Sequence, residues 1–336
     1  MTIVLRADAG PAIGAGHVMR SLTLGRALVQ RGAEVTLVSH RLPPGLRTRA
    51  QSCAIETVEV VSEPGSDRDI ETVHSQQPTF VMVDGYHLGA DYCDALIDGG
   101  MALGVFDDNG ESAVPRATLV LNQNLHASAA LYPQLPAGAL LLGARFALLR
   151  PEVLAARSHR VERERRNRVL LAFGGSDPSR LTEPVLRELV DTPGIEIRIA
   201  SGLAAPTTDA VVALVRQLRP GAAFAGSDLS YSFAWADVAV IGAGTMLWEL
   251  AYLGIPAIAV IIADNQVAGA SAAAEAGFVD VIDARADNVA PRVVDRLHEL
   301  LTNPNRCAAM TRAGHATFDG EGARRIADAI FELVRV

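Results

Sequence analysis

The stretch TIVLRADAGPAIGAGHVMR, Thr2–Arg20, decides the fold. Thr2 to Leu5 is a short apolar strand, and a glycine-rich turn follows from Asp8 to Gly16. From Val18 to Gln30 apolar residues recur at helical spacing. The pattern stops at Arg31-Gly32, before a second strand from Glu34 to Ser39. This order is the start of a βαβ unit. Further apolar strands are predicted at Phe80 to Val83 and Ala102 to Phe106, with a weaker one at Leu119 to Leu121. Short apolar strands alternating with helical stretches give a mostly parallel sheet covered on both faces.

The pattern then restarts. After the charge run SHRVERERRNR, Ser158 to Arg168, comes a strand from Val169 to Phe173, then the turn Gly174-Gly175-Ser176-Asp177. A helical segment follows from Arg180 to Val190. Strands fit Ile195 to Ala200, Val238 to Ile241, Ala257 to Ile262 and Val279 to Ile282. Because its charges are mixed, the run reads as a solvated linker or helix face, not a nucleic-acid patch. The expected architecture is α/β, with two doubly wound Rossmann-like domains over residues 1–150 and 151–336, joined near 150–168. The last helix is a candidate to pack back on the first domain. The carboxyl ends of the strands, where such sheets bind ligands, are expected to face a cleft.

Composition removes several function classes. Of 336 residues, 49% are hydrophobic and 20% charged, enough apolar material for two cores. A net charge of −8 repels nucleic-acid backbones and anionic membranes, so neither is an expected partner. All 30 basic residues are arginine, which excludes a phosphate-loop lysine, a Schiff-base lysine and a lysine base. Cys53, Cys93 and Cys307 form no CxxC pair, so zinc and disulfides lack support and a reducing cytoplasm is expected. Arg6 interrupts the N-terminus too early for a secretory apolar core. The longest compact apolar run, Leu250 to Ala263, has 14 residues, short for a membrane span.

The glycine turns divide by chemistry. Gly14-Ala15-Gly16-His17-Val18-Met19 has methionine where a dinucleotide fingerprint needs its third glycine. The second strand ends Leu37-Val38-Ser39-His40 without an acid for a ribose diol, so NAD is disfavoured. What remains is glycine backbone at a helix mouth, suited to an anionic or polyhydroxyl ligand, with His17 beside it. Imidazole, with an ordinary pKa of about 6.5, suits proton transfer at neutral pH. The same residues are also consistent with a plain turn and a helix-capping histidine. In the second half, Gly174-Gly175-Ser176 can cradle a phosphate. Gly244 and Thr245 open a helix, with Glu249 about one turn in, where a carboxylate can accept two ribose hydroxyls. Favourable charge placement in a first helical turn is the alternative for Glu249.

Taken in order, these pieces resemble a known family. They are Arg6-Ala-Asp8, Ile13-Gly-Ala-Gly-His17-Val-Met-Arg20, Val83-Asp84-Gly85-Tyr86, Phe106-Asp107-Asp108, Leu121-Asn122-Gln123-Asn124 and Phe146-Ala-Leu-Leu-Arg150. Gly174-Gly-Ser-Asp177, Ala243-Gly-Thr-Met-Leu-Trp-Glu249, Asp264-Asn265-Gln266 and Asp319-Gly-Glu-Gly-Ala-Arg324 complete the set. The chain is similar, over most of its length, to the nucleotide-sugar hydrolases of pseudaminic acid biosynthesis, which cleave UDP-2,4-diacetamido-2,4,6-trideoxy-β-L-altropyranose. The resemblance implies a glycosyltransferase-B fold, UDP bound by the C-terminal domain, and inverting C–O cleavage by water without metal or cofactor. It also implies a place in surface-glycan assembly, flagellin glycosylation included.

His17 is the residue it marks as catalytic. Tyr86 and Asp8 are the further catalytic candidates, with Asp8, at the end of the same strand, a candidate to orient the imidazole. Gly14, Gly16, Arg20, Asn124, Gly174, Gly175, Ser176, Gly244, Thr245, Glu249, Asn265 and Gln266 are the expected substrate contacts. Adjacent strand-end residues point oppositely, so at most one of Asp107 and Asp108 is expected at the site. Met246 and Gly85 depart from the family's threonine and histidine. Two alternatives remain: a glycosyltransferase with a soluble acceptor, and a non-catalytic nucleotide-sugar binder. Nothing in the sequence sets the oligomeric state.

Overall fold

The computed structural model describes residues 1–10, 13–110, 114–160, 166–173, 181–189, 192–200, 209–218, 221–225, 229–285 and 289–335. The chain divides into two units, 1–149 with 320–336, and 150–319. The first runs β1 (Thr2–Ala7), α1 (Gly16–Gln30), β2 (Glu34–His40), α2 (Pro44–Ser52), β3 (Glu56–Val60), α3 (Asp67–Ser75), β4 (Phe80–Asp84), α4 (Ala90–Asp98), β5 (Ala102–Phe106), β6 (Leu119–Asn122) and β7 (Leu140–Leu142). The second runs α5 (Pro151–Ala156), β8 (Arg168–Ala172), α6 (Thr182–Glu188), β9 (Glu196–Ala200), α7 (Asp209–Leu218), β10 (Ala223–Ala225), α8 (Ser230–Trp235), β11 (Val238–Gly242), α9 (Met246–Leu253), β12 (Ala257–Ile261), α10 (Val267–Glu275), β13 (Val279–Asp283), α11 (Val289–Thr302) and α12 (Pro304–Thr317). The last helix, α13 (Gly322–Val334), belongs to the first unit.

Each unit is one parallel sheet. The strand orders are β3-β2-β1-β4-β5-β6-β7 and β10-β9-β8-β11-β12-β13. Central strands such as β4 (FVMVD) and β12 (AIAVI) are buried at every position, as two-sided helix cover requires. The edge strands β3, β7 and β10 were not predicted. β3 (ETVEV) carries two glutamates, and β7 and β10 have three residues each, so periodicity alone is too weak to show them. Residues 161–165 of the charge run lie outside the described residues; at its ends, Arg168 lies in β8, and Arg160 Nη1 donates to the carbonyl of Ala236 at 2.9 Å.

Two glycines set how helices dock. At Gly322, where α13 begins, a Cβ would come within 2.2 Å of the Ala147 carbonyl oxygen. At Gly314 of α12 it would meet the Ala251 carbonyl oxygen of α9 at 2.4 Å. Hydrogen in place of a side chain is what allows both contacts. The inner side of α9 is further locked by Trp248, stacked on Phe318 at 5.4 Å, with Phe278 edge-on to both rings. That packing holds the neighbouring Glu249 in place.

Candidate active site

In the first sheet β1 and β4 lie side by side, with Ala7 opposite Asp84. The strand order reverses there, and a doubly wound sheet opens a crevice at the carboxyl ends of such a pair. The turn after β1 is closed by Gly10 and Gly14, whose backbones exchange hydrogen bonds of 3.1 and 2.7 Å. Gly14 has φ +80°, a left-handed conformation that strains any side chain. Ala15 precedes α1 without a side-chain cap, and the His17 ring does not cap the helix either.

Instead His17 Nδ1 lies 2.6 Å from Oδ1 of Asp84, a carboxylate with no exposed surface. A carboxylate only accepts, so Nδ1 carries the proton, and in the neutral ring Nε2 is the nitrogen that presents a lone pair. Arg20, one turn further along α1, grips the same carboxylate: Nε donates to Oδ2 and Nη2 to Oδ1, both at 2.6 Å. Its Nη1 donates to both oxygens of Asp108, at 2.8 and 2.9 Å, and its guanidinium lies 4.6 Å over the Phe106 ring. Asp108 also accepts from the Tyr86 hydroxyl at 2.8 Å and from Asn124 Nδ2 at 3.2 Å. The Tyr86 ring meets His17 edge-on, with centroids 5.2 Å apart.

Burial alone would raise both carboxyl pKa values. The Arg20 charge and its hydrogen bonds outweigh it, holding Asp84 below the usual range and Asp108 at about 2. Tyr86 shifts up, first through desolvation and then through the adjacent Asp108 charge, so its phenol stays protonated at neutral pH. A lowered carboxyl pKa stabilises the fold above the unfolded value, near 4, and that contribution disappears as pH falls through the folded value. Denaturant titrations from pH 5 to pH 2 are therefore expected to show a loss of about 2 kcal/mol attributable to Asp108. Asp108→Asn should lack this step; an identical acid profile in the variant contradicts the assignment.

The remaining predicted residues sort differently. Asp8 does not orient His17. Its Oδ1 accepts from Arg6 and from the His40 backbone, both at 2.6 Å, and its Oδ2 lies 2.7 Å from His87 Nε2. Asp84 ends the neighbouring strand and takes the role instead, while Asp8 joins a buried network of Arg6, Asp69 and Tyr92. His87 reaches Asp8 by lying over Gly85, where a Cβ would stand 2.8 Å from His87 Cε1. Of the expected substrate contacts, Arg20 spends its donors on Asp84 and Asp108, while Asn124 Nδ2 donates to Asp108 and Asn122. Of the acidic pair, Asp108 joins the cluster, while Asp107 Oδ1 accepts from the backbone N–H groups of Asn109 and Gly110. Asp84 was missed although it stands inside a quoted motif; a carboxylate ending a buried strand at the reversal point was the available signal.

In the second unit, β11 ends at Gly242, and Gly244 and Thr245 stand exposed where α9 begins. Thr245 occupies the N-cap position without a side-chain cap; the N–H groups of Leu247 and Trp248 donate to the Gly244 and Thr245 carbonyls at 3.0 and 3.2 Å, and the positive end of α9 lies beside these two exposed residues. Glu249 is 6% exposed, and both its oxygens accept from Arg150, Nε and Nη2, at 2.5 Å. Gln266 Oε1 accepts from the Ile262 N–H at 2.9 Å, and Asn265 beside it is exposed. Gly174, Gly175 and Ser176 lie outside the described residues. Among the described residues, no group of three or more His, Cys, Asp or Glu could hold a metal ion, and no helix is long and apolar enough to cross a membrane.

Comparison places this architecture. No protein-family model matches the chain. Over 199 residues it is 24% identical to the spore coat polysaccharide biosynthesis protein SpsG of Bacillus subtilis (strain 168). The match covers 57% of this chain and 58% of SpsG, less than two thirds of that relative. MurG of Acinetobacter baumannii superposes with a TM-score of 0.67 at 16% identity, over 98% of this chain and 99% of MurG. The UDP-GlcNAc 2-epimerase of Neisseria meningitidis, bound to UDP-GlcNAc, gives 0.69 at 9% identity, over 99% of this chain and 100% of the epimerase. A glycosyltransferase from Rickettsia africae ESF-5 gives 0.63 at 13%, over 99% and 98%. Likeness at these identities establishes the fold, which is the two-unit glycosyltransferase-B fold.

Proposed function

We propose that this chain hydrolyses a UDP-linked deoxy-diacetamido sugar with inversion and without a metal, releasing free sugar and UDP, in nonulosonate biosynthesis of the pseudaminic acid type. The observation that carries the reading is the His17–Asp84 pair at the strand-order reversal of the first sheet. Nε2 of His17 takes a proton from water as the oxygen attacks the anomeric carbon. The bond to the diphosphate oxygen breaks, and its electron pair leaves with UDP. Asp84 holds the tautomer and stabilises the imidazolium that forms, as carboxylates do beside catalytic histidines. With its phenol held protonated on Asp108, Tyr86 offers an exposed ring as a wall for the sugar, not a base. UDP is assigned to the second unit, with the start of α9 meeting the charge of the leaving group. The motif-by-motif resemblance supports the choice of sugar, and the fold shared with a UDP-GlcNAc-bound epimerase supports the choice of nucleotide.

The test is incubation with UDP-linked deoxy-diacetamido sugars and no acceptor. Stoichiometric UDP release supports a hydrolase; release only on adding a soluble acceptor points to a transferase, the reading that the Rickettsia enzyme's fold favours. Turnover is expected to survive EDTA unchanged, because the carboxylates nearest His17, Asp84 and Asp108, already accept from Arg20. Loss of activity in EDTA with recovery on adding Mg²⁺ would overturn the metal-free account.

A further inference from the structure

A second histidine–carboxylate pair stands where β1 and β4 run side by side, and its pairing crosses that of the first. His17, on α1 after β1, holds Asp84 at the end of β4; His87, just after β4, holds Asp8, just after β1, with Nε2 2.7 Å from Oδ2. The hydrolysis proposed above employs the first pair only. Asp8 is 2% exposed, and among the described residues its Oδ2 has His87 as its one donor, since Arg6, Ser39 and the His40 N–H all donate to Oδ1. Burial alone would raise the Asp8 pKa. Hydrogen bonds from His87 and Arg6, the Arg6 charge and the His40 N–H outweigh it and keep the carboxyl well below its usual range. A carboxylate only accepts, so His87 Nε2 carries the proton, and in the neutral ring Nδ1 is the nitrogen that presents a lone pair.

The imidazole is held and yet open. Glycine at position 85 makes room for it, because a Cβ there would stand 2.8 Å from His87 Cε1 and 3.2 Å from Nδ1. The side chain is 31% exposed, next to the exposed Tyr86, and among the described residues Nδ1 has no hydrogen-bond partner. Two adjacent rings, a phenol on Asp108 and an imidazole on Asp8, thus follow the carboxyl end of β4, where such a sheet opens its crevice. We propose that His87 is a sugar-contact residue, its Nδ1 accepting a hydrogen bond from a hydroxyl or an acetamido N–H of the glycosyl group. This rests on the sugar reading above and adds a polar anchor beside the Tyr86 ring. An acceptor locked in place before the ligand arrives loses little freedom on binding, so more of its hydrogen bond appears as affinity.

The probe is the UDP-linked diacetamido sugar with methylene in place of its anomeric oxygen, which cannot be cleaved. Calorimetric titration of the full chain with this analogue and with UDP gives a ratio of affinities for the parent, His87→Gln and Gly85→Ala proteins. His87→Gln keeps a donor for Asp8 but loses the ring acceptor, whereas Gly85→Ala keeps the ring and pushes it off Asp8. Each should weaken the analogue by about three- to tenfold, the loss of one hydrogen bond, with UDP affinity unchanged. The double variant should lose no more than the larger single loss, since both changes act on one contact. A histidine that merely covers Asp8 would leave the ratio at its parental value in His87→Gln, and that result overturns the inference. Should His87→Gln fail to fold, as circular dichroism reports, Gly85→Ala decides alone on the same ratio. The 3-deoxy counterpart of the analogue identifies the donor: if the variants bind it as the parent does, the donor is the 3-hydroxyl, and if the loss persists it is an acetamido N–H. If the parent binds UDP but not the analogue, the sugar reading fails and the inference fails with it.

Discussion

His17→Leu is expected to fold as the parent does, to bind UDP with near-native affinity, and to lose turnover by roughly 10²–10⁴, the usual contribution of a positioned acid–base group. The fold should tolerate it because the ring packs edge-on to an exposed tyrosine, and Asp84, on losing the His17 hydrogen bond, keeps both donors of Arg20. UDP affinity should persist because the nucleotide is assigned to the other unit. His17→Asn separates two roles, since an amide can hydrogen-bond to Asp84 but cannot take a proton at neutral pH. If the asparagine variant keeps the parental rate while leucine does not, His17 positions water or substrate and is not the base.

Asp84→Asn carries the second large effect, on both catalysis and stability. An amide in place of the carboxylate can present its N–H₂ to His17, which then adopts the wrong tautomer; where a buried aspartate serves a catalytic histidine this costs about 10⁴ in rate. Asp84 also accepts two hydrogen bonds from Arg20, so its replacement leaves the buried guanidinium with Asp108 as its one acid partner. Breaking a buried ion pair from one side costs on the order of 3–5 kcal/mol, and the remaining Asp108 contact should hold the loss at the lower end. Asp108→Asn is the control that divides the two. It too removes a partner of Arg20 but leaves the 2.6 Å His17–Asp84 contact in place. Its stability should fall while its kcat stays within about tenfold of the parent, a modest share of a base's contribution. Equal kcat losses in the two variants, at matched folded fractions, would mean that Asp84 acts only through the fold.

Much of the architecture is legible in the sequence alone. The apolar runs of β4, β5 and β12 are two-sided buried strands, whose composition is nearly context-free because both faces meet helices. The turn after β1 announced itself through glycine, and Gly14 does adopt the conformation that only glycine tolerates freely. The edge strands were hidden for the complementary reason. A strand paired on one side and partly exposed alternates weakly, and β3 reads like a charged loop until its pairing with β2 is seen.

Side-chain partnerships behaved otherwise. Asp8 and Asp84 both end strands and both stand within reach of the crevice, and the local sequence favoured Asp8 because it shares a turn with His17. Register decided the matter, since Ala7 pairs with Asp84 across the sheet and brings a residue 67 positions from His17 to its ring. Arg150 and Glu249, Arg20 and Asp108, and His87 and Asp8 lie 99, 88 and 79 positions apart, and each pairing depends on the direction a side chain leaves its strand or helix.

The sequence by itself determined two parallel α/β units, the glycine turns that open their crevices, and the residue types capable of acid–base and diphosphate chemistry. These follow from short-range constraints: hydrophobic period, backbone conformational freedom and the chemistry of single side chains. Only the tertiary structure decided which carboxylate holds His17, that Arg20 is spent on Asp84 and Asp108, and that Glu249 is gripped by Arg150. Such pairings are long-range and strongly distance-dependent, since a charged hydrogen bond exists at about 3 Å and is lost an ångström further away. A spacing that small is set by strand register and helix docking, which no local stretch of sequence encodes.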